Sequence, residues 1–96
     1  MLELTDKTLL RNQNYINGAW VDADNGSTVA VTNPATGKLI IDIPNMGASE
    51  TKRAIDGADH AFQKWRNVPA KERSAVLKEW YRLIMANQED LAKIMT

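Results

Sequence analysis

Any acid–base chemistry in this chain would have to come from a short list of side chains. His60 is the single histidine; Asp56 and Asp59 stand three residues apart, and Glu89 and Asp90 are adjacent. A general acid or base needs a carboxylate or imidazole held in an apolar cleft. Asp56 and Asp59 instead fit the solvated face of a helix, and Glu89 and Asp90 fit a helix start, where negative charge is favoured. His60 lies about 140° around that first helix from Ile55, at 100° per residue, and should face solvent. Ser27, Ser49 and Ser74 lack a nucleophile-elbow pattern, and one histidine would have to serve all three. Asp22 and Asp24 hint at calcium, but the twelve-residue loop with its terminal Glu is missing. With no cysteine, thiolate nucleophiles, disulfides and cysteine-ligated metals are all excluded from these residues. Neither glycine-rich phosphate motif is present. The residues themselves therefore receive no catalytic, cofactor-binding or metal-binding assignment.

Other groups could bind rather than react. Trp20 follows a predicted hairpin turn, while Trp65 and Trp80 fall at core spacing on helices and are expected to pack. Lys64, Arg66, Lys71 and Arg73 surround the turn between two helices, mixed with Glu72 and Glu79. A DNA-reading second helix would be basic, which this one is not. Twelve Lys+Arg balance twelve Asp+Glu, so the chain has no net charge and no general affinity for nucleic acid.

The 96 residues contain 44% apolar and 25% charged side chains, an ordinary globular balance. A chain this size can hide roughly 65% of its unfolded surface, enough for one modest core. Leu83-Ile84-Met85-Ala86 is the longest apolar run, far short of a membrane helix. The N-terminus carries acids early and has no apolar stretch of signal-peptide length. These features predict a cytoplasmic protein, in which the sequon Asn25-Gly26-Ser27 is only a surface turn. Residues 1–46 carry a net charge of −2 and residues 47–96 a net charge of +2, a split too small to name a partner.

The elements follow a simple order. Tyr15-Ile-Asn-Gly-Ala-Trp-Val places Asn-Gly between apolar runs, the signature of a type I′ hairpin, with Tyr15 and Trp20 stacking on one face. Thr28–Thr32 is a β-branched strand. Asn33-Pro-Ala-Thr-Gly is a turn in which Asn33 accepts from an amide two residues on. Leu39, Ile41 and Ile43 alternate as a half-buried strand, and Pro44 stops the pairing. The first helix should start with Ser49 as N-cap, aided by Glu50. Its buried face is Ile55, Ala58, Phe62 and Trp65, and Gly57 lets another backbone come close. Asn67-Val-Pro ends it. The second helix starts near Pro69 and buries Val76, Leu77, Trp80, Leu83 and Ile84. Asn87 breaks it, and Gln88–Met95 adds a last turn or two. The chain ends without a helix stop signal, as expected of a helix interrupted by the end of the sequence. The segments are then an arm (1–13), two hairpins (14–44) and a helical segment (45–96) truncated at its C-terminus. The fold class is an α+β fragment, two β-hairpins followed by two or three α-helices. The two-stranded ribbons, marginal alone, want partners along their edges.

Three stretches carry a family resemblance: Tyr15-Ile-Asn-Gly-Ala-Trp-Val, Val31-Thr-Asn-Pro-Ala-Thr-Gly-Lys, and Ala70-Lys-Glu-Arg-Ser-Ala-Val-Leu-Lys-Glu-Trp. From about Leu9 to Thr96 the sequence resembles the N-terminal segment of an aldehyde dehydrogenase. The Trp65–Trp80 stretch and Asn45-Met-Gly-Ala look most like bacterial NAD(P)-dependent succinate-semialdehyde dehydrogenases, with glutarate-semialdehyde dehydrogenases too similar here to separate. The resemblance implies the outer layer of a Rossmann-like cofactor-binding domain. It also implies an oxidoreductase acting on aldehydes through a cysteine, a glutamate and NAD or NADP. No such cysteine, matching glutamate or dinucleotide loop lies in these residues, so the chain alone is expected to be inactive and to bind no cofactor. Implied partners are the remainder of a dehydrogenase chain and further copies in a homo-oligomer, with neither nucleic acid nor membrane. Some members bind a structural monovalent cation partly through the backbone carbonyl at the position of Thr32. The competing expectation is a stand-alone helical-hairpin module offering one apolar groove.

Overall fold

A computed structural model describes residues 2–96. After a single 3-10 turn at Lys7–Leu9 come β1 (Asn14–Ile16), β2 (Ala19–Val21), β3 (Thr28–Thr32) and β4 (Leu39–Pro44). Three helices follow: α1 (Ala48–Trp65), α2 (Ala70–Ala86) and α3 (Gln88–Met95). The strands make two separate antiparallel pairs, β1 with β2 and β3 with β4. Two compact units result, one of residues 11–62 and one of residues 2–10 with 63–96.

In the first unit the turns follow from local chemistry. Asn17 and Gly18 have φ of 51° and 80°, the two positive values a type I′ turn demands. Tyr15 stands opposite Trp20 in the register. Their rings are 5.0 Å apart but tilted at 60°, so the pair meets at an angle instead of stacking. The Arg11 guanidinium covers the Trp20 ring at 4.6 Å, a cation–π contact that leaves the two faces of the indole unequal. In the second hairpin the Ala35 amide donates to Asn33 Oδ1 at 2.9 Å, and Gly37 takes a φ of 73°. A bulge at Val31/Thr32 brings Thr32 opposite Leu39.

Two sequence expectations at element ends are corrected. Pro44 does not stop the ladder: it pairs with Thr28, and Asn45 N–H donates to Ser27 O one residue later. An outer strand needs no N–H at that position, which is why proline is tolerated there. Ser49 is not the N-cap of α1. The helix begins at Ala48, and the Gly47 carbonyl accepts from Thr51 N–H at 3.1 Å. Glu50 reaches back to the Gly47 amide at 3.2 Å, the carboxylate half of a capping box, with glycine standing where the hydroxyl half would be.

The close neighbour of Gly57 is a side chain and not the expected backbone. A Cβ there would stand 3.4 Å from Asn17 Cβ, so the hairpin turn's side chain lies against this point of α1. That distance is ordinary van der Waals contact, and alanine regains the helix propensity glycine lacks. Gly57→Ala is expected to stabilise the protein by about 0.5–1 kcal/mol. A thermal unfolding midpoint that falls instead would show that the Asn17 turn cannot give.

In the second unit the Pro69 carbonyl accepts the first amides of α2, from Glu72 and Arg73. Asn87 separates α2 from α3, its side-chain amide donating back to Leu83 O at 2.9 Å. The expected buried faces are not buried. Among the described residues only Leu4, Ala23, Pro44, Glu50 and Asp90 are buried, and none lies on α2. Ile55, Phe62, Leu77 and Ile84 are all exposed, and Trp65 and Trp80 are 40% and 62% exposed. The accessible surface is 7823 Å², against about 5,500 Å² for a self-contained monomer of this mass. Periodicity names the face a helix would bury, but not what covers it, and these residues supply no cover. The single modest core expected from chain length is therefore not formed.

Candidate functional site

A groove of about 750 Å³ in the first unit gathers Asp22, Asp24, Arg53, Asp56, Gly57 and His60. It collects two of the sequence's five acid–base candidates, Asp56 and His60, together with the two calcium candidates, and their partners decide what they can do. Arg53 donates to Asp24 at 2.6 Å, and Lys52 to Asp56 at 2.9 Å. Gln13 donates to Asp22 at 3.1 Å. All three acids thus have a side-chain partner within hydrogen-bonding distance. Asp24 in turn holds the Arg53 guanidinium above its ordinary pKa. His60 and Asp59 are exposed, and no side-chain hydrogen bond among the described residues orients the imidazole. Ser49 precedes it by eleven residues of helix, roughly 16 Å of rise, which is out of reach. Among the described residues no group of three His, Cys, Asp or Glu side chains converges as a metal site requires. An acid-lined groove with no glycine-rich turn does not fit a dinucleotide pyrophosphate either.

The side chains that do the most here are two the sequence marked only as helix-end charges. Glu50 is 6% exposed. Its Oε1 accepts from Gly47 N–H and its Oε2 from Asp24 N–H, both at 3.2 Å. One carboxylate therefore caps α1 and pins the loop after β2 to it, and Asp24–Arg53 closes the same junction one turn on. Backbone amides, its own first and that of Asp24 next, hold the Glu50 carboxyl below the ordinary carboxylate pKa.

Asp90 plays the equivalent part in the second unit. It is 5% exposed, and it accepts from Thr5 N–H at 2.9 Å and from Asp6 N–H at 2.8 Å. Lys93 adds a bond to Glu3 O at 3.1 Å. The Asp6 amide, then that of Thr5, lower the Asp90 pKa. This carboxylate fastens the N-terminal arm to the first turn of α3. Both acids occupy the third position of a helix, a signal the sequence does contain. Their distant amide partners leave no sequence signal.

The binding candidates separate by unit. Trp20 is covered by Arg11 in the first. In the second, Trp65, Arg73, Leu77 and Tyr81 line an open groove of about 670 Å³ beside the basic turn. Glu79 pairs with Arg82 on the same helix, a surface bridge with no part in that groove. No described helix is long and apolar enough to cross a membrane. The chemistry shown at Glu50 and Asp90 is positioning: each carboxylate orders backbone amides.

Comparison with known proteins places the chain in a family. Residues 20–96 match the model of the aldehyde dehydrogenase family. The chain is 56% identical over 95 residues to glutarate-semialdehyde dehydrogenase of Pseudomonas putida, covering 99% of the chain and 20% of that relative. It is 48% identical over 95 residues to an NADP-dependent succinate-semialdehyde dehydrogenase of Escherichia coli, again covering 99% of the chain and 20% of the relative. Its structure superposes on an aldehyde dehydrogenase from Brucella melitensis biovar abortus with a TM-score of 0.96 at 45% identity, covering 100% of this chain and 20% of that one. The chain thus spans about a fifth of the length of the proteins it matches.

Proposed function

This chain belongs to the aldehyde dehydrogenase family of oxidoreductases, and from that premise we propose that its protein oxidises the semialdehyde of a short dicarboxylic acid. The substrate is succinate semialdehyde or its homologue one carbon longer, glutarate semialdehyde. The overall reaction takes the aldehyde, water and NAD(P)⁺ to a carboxylate, NAD(P)H and two protons. The observation that carries this reading is the pair of relatives at 56% and 48% identity, whose names both specify an aldehyde with a carboxylate at its far end.

When bound, NAD(P)⁺ would supply the hydride acceptor, and no residue of this chain is assigned to hold it. The thiolate expected from the family resemblance is not assigned here either, because the sequence has no cysteine. These residues order a supporting layer instead. The segments 1–13, 14–44 and 45–96 act as arm, ribbons and helices of the cofactor-binding domain, with the remainder of the dehydrogenase covering the exposed faces of α1 and α2. The working protein is a cytoplasmic homo-oligomer. By themselves the 96 residues give no turnover.

The test is an assay of the complete protein with NAD⁺ and NADP⁺ against succinate semialdehyde, glutarate semialdehyde and neutral butanal. Recognition of the distal carboxylate by a charge-assisted hydrogen bond should raise kcat/KM for the two anions about tenfold or more over butanal. Equal rates with butanal would remove the proposed substrate class.

A further inference from the structure

We propose that Asn25 is a site of spontaneous deamidation, and that its conversion loosens the Asp24 end of the Glu50 clamp. The sequence contains two Asn-Gly pairs, Asn17-Gly18 and Asn25-Gly26. A glycine after asparagine leaves its backbone nitrogen unhindered, free to reach the side-chain carbonyl carbon. The two pairs sit in different surroundings.

Asn25 is exposed, and its Oδ1 accepts from Ser27 N–H at 2.9 Å. That bond folds the side chain back along the Gly26 peptide. It also places an N–H donor on the oxygen that becomes negative when the nitrogen attacks, the arrangement of an oxyanion hole. Nothing lies within 4 Å of where a Gly26 Cβ would be, so the approach is open. The Gly26 N–H is bonded to Ala23 O at 2.9 Å, and opening of this exposed turn frees it. Asn17 is exposed as well, and the approach to Gly18 is equally open. The difference lies in the oxyanion donor: among the described residues no side-chain hydrogen bond reaches Asn17 Oδ1, whereas Asn25 Oδ1 holds the Ser27 N–H.

In the reaction the Gly26 nitrogen gives its proton to hydroxide and bonds to Asn25 Cγ. The Cγ–Nδ2 bond breaks, and the nitrogen leaves as ammonia with a proton from water. Water then opens the cyclic imide at either carbonyl, giving aspartate or isoaspartate. Overall one water enters and one ammonia leaves, with no change of oxidation state. The product puts a new carboxylate beside Asp24, and isoaspartate adds a methylene to the backbone there. The Asp24 amide is the one that donates to Glu50, and its carboxylate holds Arg53.

To test this, the complete protein is held at mildly alkaline pH, and the two Asn-Gly peptides are followed by mass spectrometry that resolves isoaspartate. The Asn25 peptide should convert several-fold faster than the Asn17 peptide, and Asp24 amide exchange should speed up as it does. In the same protein unfolded in urea the two rates should converge. Equal native rates, an unconverted Asn25 peptide, or conversion that leaves Asp24 exchange unchanged would overturn the proposal.

Discussion

Purified by itself, the 96-residue chain is expected to self-associate in a concentration-dependent way. The cause is the face of α2. Leu77, Trp80 and Ile84 share one side of that helix and are 56%, 62% and 42% exposed. Burying such a side chain contributes about 1.5–3 kcal/mol. Several must be covered together to offset the loss of translational and rotational freedom on association. The double variant Leu77→Lys with Trp80→Lys removes two of them, at ~2 kcal/mol each, and should weaken association about a thousandfold. Sedimentation of both proteins over a wide concentration range reads the effect directly. A monomer at every concentration would reject the expectation and favour a self-sufficient module with one specific groove. Loss of association in the double variant, with unchanged helix content by circular dichroism, would place the contact on α2.

That contrast shows which parts of the structure can be read from sequence. The Asn17-Gly18 and Asn33–Gly37 turns were legible because their causes lie within a few residues: positive φ at two positions, and a side-chain oxygen two residues from its amide. The break at Asn87 and the end of α1 before Pro69 were legible for the same reason. The spacing of Leu77, Trp80 and Ile84 puts them on one side of α2, but burial is not legible there, because it depends on what lies opposite, and spacing within one helix carries no information about that. Ser49 is the residue type that most often caps a helix, which is why the sequence points to it. Gly47 and Glu50 share the work here because the Glu50 carboxylate serves two amides at once.

The two helix-end carboxylates should be separable switches of local order. Asp90→Ala leaves the Thr5 and Asp6 amides without their acceptor. Both should exchange with solvent about tenfold faster or more, the scale of a lost bond to a charged group. The Gly47 and Asp24 amides lie in the other unit and should not change. Glu50→Ala should reverse the pattern, exposing Gly47 and Asp24 while Thr5 and Asp6 stay protected. The pH dependence has a definite sign. Both carboxyls have folded pKa values below their ordinary 4.5 and 3.8. Their contribution is therefore complete above those ordinary values and is lost as pH falls through the lower folded ones. Protection of the four amides, corrected for intrinsic exchange, should be flat from neutral pH down to about 5 and should fall only in stronger acid. In Asp90→Asn the acid-dependent part should vanish at Thr5 and Asp6 alone, because the amide does not titrate and offers one acceptor oxygen where the carboxylate offers two. If Asp90→Ala leaves the arm amides as protected as before, the arm is held by Leu4 and Lys93 without the carboxylate. If instead it releases amides in both units, Glu50 and Asp90 belong to one cooperative structure and not two.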